Sequence, residues 1–153
     1  MNPDPQAPSA PSVQVEPEGR RPPGPPELDR TRALELLAGA AVGRVVYTVG
    51  ALPAVLPVHF RLDAAGGVLL SARAGSELAR AVDGAVVAFE ADEWDGTDGT
   101  GWCVTVLGRA EVRPAPATAP APGDAPDRHT DRGRVLIRVG PELVVGRRLT
   151  TEG

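Results

Sequence analysis

The sequence predicts a mainly-β domain, a small antiparallel barrel accompanied by two short helices. Seven β-rich runs (43–49, 54–62, 68–72, 85–91, 102–112, 134–139 and 142–149) are separated by turn-forming Gly, Pro and Asp residues. Only two stretches place apolar residues at helical spacing. Proline is segregated: nine of the 17 prolines fall in residues 1–26 and five more between Pro114 and Pro126. The remainder of the chain is therefore free to build one core.

Each element has a local reason. Residues 1–27 are expected to form a disordered, Pro-rich tail, because the first 26 contain no aromatic residue and no large aliphatic beyond Val13 and Val15. The candidate barrel domain is 28–150. Its first helix carries Ala33, Leu34, Leu36 and Leu37, with Asp29 as cap and Gly39 as terminator. Strands 43–49 and 54–62 form a hairpin through Gly50-Ala51-Leu52-Pro53, and Asp63 to Gly67 turns the chain into strand 68–72. Ser76 caps a second helix whose Leu78, Ala81 and Val82 share one face and which Gly84 ends. Strand 85–91, an acidic loop 92–100 and strand 102–112 follow. Residues 114–131 read as a flexible Pro/Ala loop inside the domain, before two closing strands. The pairs Val45-Val46 and Val86-Val87 interrupt alternation, so some strands should be buried on both faces, and a second copy of the chain would supply the cover.

Composition narrows the function. All 16 cationic residues are Arg, alongside 23 Ala and 18 Gly, a bias that follows GC-rich codons rather than anion chemistry. The net charge of −4 and the 3% aromatic content argue against a nucleic-acid partner. No apolar run reaches the roughly 20 residues a membrane helix needs, and no secretory signal is evident. The single Cys103 suits a reducing cytoplasm, the expected location. Nucleophile-elbow, Walker, C-x-x-C and H-E-x-x-H motifs are all missing. With only His59 and His129, no metal site is expected. The acidic cluster from Glu90 to Asp98 fails the EF-hand pattern because Trp94 stands where the second oxygen ligand belongs. Chemistry, if present, is left to a bound cofactor.

Several segments, in order, resemble the pyridoxamine 5′-phosphate oxidase-like proteins. They are Val42-Gly43-Arg44-Val45, Leu52 to Phe60 (LPAVLPVHF), Gly75-Ser76-Glu77-Leu78 and Val86 to Glu90 (VVAFE). Gly101-Trp102-Cys103-Val104, Gly108 to Glu111 (GRAE) and Val144 to Arg148 (VVGRR) complete the set, and the likeness is greatest to short actinobacterial members. The resemblance implies a six-to-seven-stranded antiparallel split β-barrel, a homodimer, and FMN in clefts between subunits, with F420 or haem in some relatives. It implies a flavin (FMN or F420)-dependent oxidoreductase acting on a small molecule. The classical enzyme's C-terminal segment bearing Arg and His has no counterpart, so pyridoxamine phosphate is not the expected substrate.

Carried over residue by residue, the resemblance runs the flavin along Leu56, Pro57, Val58 and His59. It places a polar flavin contact at the second residue of Trp102-Cys103. The family's phosphate-binding Thr falls on Ala72 and its Lys on Glu77, and both are departures. Ser71 and Arg73 flank the lost Thr, and the helix start at Ser76 offers backbone N–H groups, so these residues are the candidates for compensation. Each candidate also has a plain structural reading. Glu77 suits a first helical turn, His59 an inward or dimer-facing strand, Cys103 a small buried position, and Trp102 ordinary packing. Arg44 reads as a surface charge or as a dimer or phosphate contact, and Arg147 and Arg148 as solvated strand-end charges. No catalytic residue is singled out. The family's helix after strand 102–112 cannot form across Pro114–Pro126, which would leave the cleft more open. The losses at Ala72 and Glu77 also admit an alternative, a non-catalytic ligand-binding barrel.

Overall fold

Strand β7 (Gly101–Pro114) is the longest and belongs to two sheets. The computed structural model describes residues 27–116 and 133–151. Along 101–109, β7 pairs with β6 (Val86–Trp94); on its other side, 101–107 pair with β9 (Leu143–Leu149). From Ala110 onward it pairs instead with β8 (Arg134–Val139). The switch occurs beside Gly108, where an added Cβ would overlap the carbonyl oxygen of Gly140. Only glycine lets the two backbones approach this closely.

The first sheet continues through β2 (Val42–Val49) to β3 (Leu52–His59), and β1 (Glu27–Leu28) pairs with β9. The second runs from β8 to β5 (Val68–Arg73) and β4 (Arg61–Leu62). All pairings are antiparallel, which gives the split barrel its two halves. Among the described residues the strands number nine, the two-residue β1 and β4 included.

Local rules account for most boundaries. Helix α1 (Arg30–Gly39) is capped by Asp29, which accepts the Arg32 N–H at 2.8 Å. Helix α2 (Glu77–Val82) is capped by Ser76, whose hydroxyl accepts the Ala79 N–H at 3.2 Å. The β2–β3 link is shorter than the expected four residues. Gly50 (φ 53°) and Ala51 (φ 67°) alone form it, with the paired positive φ of a type I′ hairpin turn. Pro53 and Pro57 then lie inside β3, tolerated because β3 is an edge strand.

The acidic segment corrects the expected loop 92–100. Asp92, Glu93 and Trp94 continue β6, paired with Cys103, Trp102 and Gly101. Their exposed side chains do not prevent backbone pairing. Asp95 and Asp98 are turn formers, accepting the Thr97 N–H at 2.7 Å and the Thr100 N–H at 2.8 Å. No group of acids, His and Cys fit to hold a metal occurs among the described residues. The expected tail, except Glu27, and most of the expected loop 114–131 lie outside the described residues; Pro114 itself ends β7.

The core fills from both helices and both sheets: Leu37 from α1, Val82 from α2, and Val45, Phe89, Val106 and Ile137 from the strands are fully or almost fully buried. Expected two-face burial is incomplete within one chain. Val45 and Val87 are buried, whereas Val46 is half-buried and Val86 is 60% exposed. Among the described residues, no helix is long and apolar enough to cross a membrane.

Asp63 ties the β4–β5 turn to β8. Its carboxylate accepts the Ala65 and Gly67 N–H groups at 2.9 and 2.8 Å and Arg138 Nε at 2.6 Å. The hydrogen bond from Arg138 is the main reason its pKa lies below the ordinary value. A depressed carboxylate pKa stabilises the fold above the unfolded-state value of about 3.9 and loses that contribution as pH falls through the folded value. Asp63→Asn is therefore expected to cost about 1–2 kcal/mol at pH 7. In urea titrations the gap from wild type should narrow as pH falls below about 4 and close only below the lowered folded value; a gap that never narrows would mean the charge is not what matters.

Candidate functional site

Strand alternation divides the residues carried over from the resemblance. In β3, Pro57 and His59 lie opposite Arg44 and Val42 on the outer face of the first sheet. Leu56 and Val58 lie opposite buried Val45 and Gly43 on the inner face, and Val58 packs against the core. Adjacent strand residues point to opposite faces, so a ligand on either face meets two of these four side chains. His59 and Ser71 line one cavity of about 310 Å³, together with Phe60, Arg61, Leu69 and Leu136. Its Phe60 wall is held by the fully buried Phe89, with ring centroids 4.6 Å apart.

Cationic side chains gather beside this cavity. Ser71 and Arg73 are exposed on β5, while Ala72 between them faces inward and is only 9% exposed. Cross-strand register places Arg134 of β8 directly opposite Arg73. Arg134 Nε donates to Ser71 Oγ at 2.9 Å. Among the described residues, Arg61, Arg73 and Arg134 form no ion pair. Like charges directly opposite on a sheet are destabilising, and an anion between them reverses the sign. Sequence reasoning missed Arg61 and Arg134. Arg134 becomes visible only through register, because 61 residues of chain separate it from Arg73.

The helix start contributes less than expected. The Ser76 hydroxyl caps α2, and the Ser76 N–H donates to the Arg73 carbonyl at 3.1 Å. Glu77 is exposed in the first turn, where a carboxylate complements the helix dipole.

Cys103 lies on the same outer face as His59, but β2 and β6 intervene, a separation of roughly 14 Å at about 4.8 Å per strand. Between them Arg44 bonds to Asp92 at 2.6 Å and approaches Glu90 at 3.8 Å, and the bond to Asp92 raises the Arg44 pKa. Burial, with the Glu90 charge second, pushes the Cys103 thiol above its ordinary value. The sulfur is therefore a neutral thiol at pH 7, not an activated nucleophile. Trp102 faces the other way. It lines a different cavity between α1, β7 and β9. His59 and Ser71 thus share a cavity with Arg73 two residues further along β5, Cys103 shares the face of His59 at a distance, and Trp102 is separate.

Residues 29–148 match the family model described as pyridoxamine 5′-phosphate oxidase. The chain belongs to the pyridoxamine 5′-phosphate oxidase family. It is 46% identical over 88 residues to the uncharacterized protein Rv0080 of Mycobacterium tuberculosis, a match covering 55% of this chain and 58% of that protein. The chain therefore spans a little over half the length of that curated relative. Among solved structures, it is similar to the FAD binding protein from Mycobacterium smegmatis, with a TM-score of 0.62 and 29% identity over 80% of this chain and 98% of that one. A FAD-binding protein from Mesorhizobium loti shares the fold, with a TM-score of 0.61 and 23% identity over 82% and 96% of the respective chains. The Arg73–Arg134 pair flanks Ala72 and Val135 on the paired strands β5 and β8.

Proposed function

We propose that the protein binds a phosphate-bearing flavin, FMN in the first instance, as a homodimer, and uses it in an oxidoreductase reaction on a small molecule. The observation that carries this reading is the Arg73–Arg134 pair beside Ser71, which fits a dianionic phosphate. Ser71, Arg73 and Arg134 would hold that phosphate, and Arg61 adds positive charge at the cavity where His59 and Phe60 form a wall. A bound flavin supplies two-electron acceptance and donation. The chain's own part is to hold the phosphate and keep the neighbouring surface dry. The name of the 29%-identical relative, a FAD binding protein, supports a flavin ligand. The proposed setting is the cytoplasm, where a lone thiol such as Cys103 stays reduced.

The dimer rests on the outer sheet face. Register aligns Val55, Val46, Ala88, Leu107 and Leu143 in one apolar row across five strands, with Val55 58% and Leu143 53% exposed. A second copy would bury this row and bring its own outer face near the first copy's cavity. Light scattering at micromolar concentration should give twice the chain mass, and a stable monomer would remove the basis for an interfacial site.

The absence of a Thr at Ala72 and a Lys at Glu77 favours a second reading, a ligand-binding barrel without catalysis. Absorbance spectra before and after adding FMN or F420 test both. A flavin spectrum shifted by one equivalent of FMN per chain supports the proposal. Failure of FMN to bind at all would sink it, and bound flavin that no reductant can reduce would favour the second reading.

A further inference from the structure

Trp102 leads to a site on the opposite side of the first sheet. A cavity of about 380 Å³ opens between α1, the start of β7 and the end of β9. That volume falls in the range of small-molecule sites. Leu28, Leu36, Leu149 and the half-buried Trp102 supply an apolar wall, while Arg32 and Arg148 enter from α1 and from β9.

The charges are unevenly used. No carboxylate lines the cavity. Arg148 forms no ion pair among the described residues. Among the described residues, the Arg32 guanidinium pairs with Glu35 alone, at 3.1 Å, a pair more than half exposed on both sides and so weakly held. The Thr100 hydroxyl is already committed to Asp98 at 2.6 Å. What remains for a ligand is a flat aromatic surface, aliphatic side walls and two guanidinium groups.

We infer that this cavity is a second small-molecule site, which takes a compact aromatic carboxylate. The ring would lie against Trp102 and the leucines, and the carboxylate would accept from Arg148 and Arg32, the geometry in which a guanidinium fork is most effective. The alternation of Trp102 and Cys103 along β7 puts this site on the face away from the Ser71–Arg134 cavity. The two cavities share no lining residue, so the two sites are expected to fill independently.

Naphthalene-2-carboxylate is a suitable probe. Trp94 and Trp102 are the only tryptophans, so Trp94→Phe leaves Trp102 as the sole indole reporter. The probe should quench Trp102 fluorescence saturably, with one equivalent per chain, and excess FMN should leave that titration unchanged. Arg148→Gln, an exposed change that leaves the fold intact by circular dichroism, should weaken the probe about tenfold or more. Naphthalene-2-carboxamide, with the same ring and no charge, should bind as poorly to wild type as the acid binds to Arg148→Gln. Absence of saturable quenching up to millimolar probe would overturn the inference, as would equal affinity for Arg148→Gln and wild type. Competition by FMN would overturn it too, by assigning the cavity to the flavin.

Discussion

Replacing Arg134 with alanine is expected to weaken FMN binding by about 10- to 150-fold and to leave riboflavin binding nearly unchanged. The two ligands differ in the phosphate, so the comparison isolates the anion. In the free protein Arg134 faces Arg73 across the β5–β8 register and spends one donor on the Ser71 hydroxyl. Neither guanidinium has a carboxylate partner among the described residues. The pair costs stability when empty and strengthens a dianion's grip when filled. Arg134→Ala should consequently leave the melting temperature of the free protein equal or slightly raised, while the gain in melting temperature on adding FMN shrinks. Arg73→Ala should act in the same direction. Glu77→Lys should tighten FMN modestly, since the side chain is exposed and its field is screened by salt. Equal shifts for FMN and riboflavin in these titrations would mean that the phosphate is held elsewhere.

Phe89→Ala is expected to cost about 3–5 kcal/mol, a large share of the roughly 5–15 kcal/mol that holds a domain together. Phe89 has no exposed surface, and its ring meets Phe60 on one side. On another side it sits where a side chain on Gly43 would have to be, since a Cβ there would overlap the ring. Truncation removes a ring from a slot that the surrounding strands cannot close. Because Phe60 follows His59 and lines the candidate cavity, the variant should also bind flavin less tightly at temperatures where it remains folded. Urea denaturation at 25 °C gives the stability change. A loss below about 1 kcal/mol would mean the slot collapses, contrary to the close packing of these strands.

Most of the local structure was legible in the residues themselves. Asp29 and Ser76 cap the helices that their positions predict, and Gly50-Ala51 makes the hairpin turn. Such features depend on neighbours a few residues away, so the sequence carries them directly. The acidic run was harder. Asp92 to Trp94 read as loop from composition, yet they extend β6 because β7 offers them backbone partners. Exposed acids are neutral toward an edge of sheet that another strand has already satisfied. The family pattern names its candidate flavin residues as runs in β3, β5 and β7, and a motif of consecutive residues does not state which of them share a face.

Composition, caps, turns and the order of strands determined a small antiparallel barrel. Tertiary structure alone decided three further things. It set Arg134 opposite Arg73, it chose which of Trp102 and Cys103 faces outward, and it left the Val46–Leu107 row uncovered. The reason lies in register. A one-residue slip between two strands inverts every side chain. The pairing of strands distant in sequence is fixed by how a whole core fills, not by any short stretch of it.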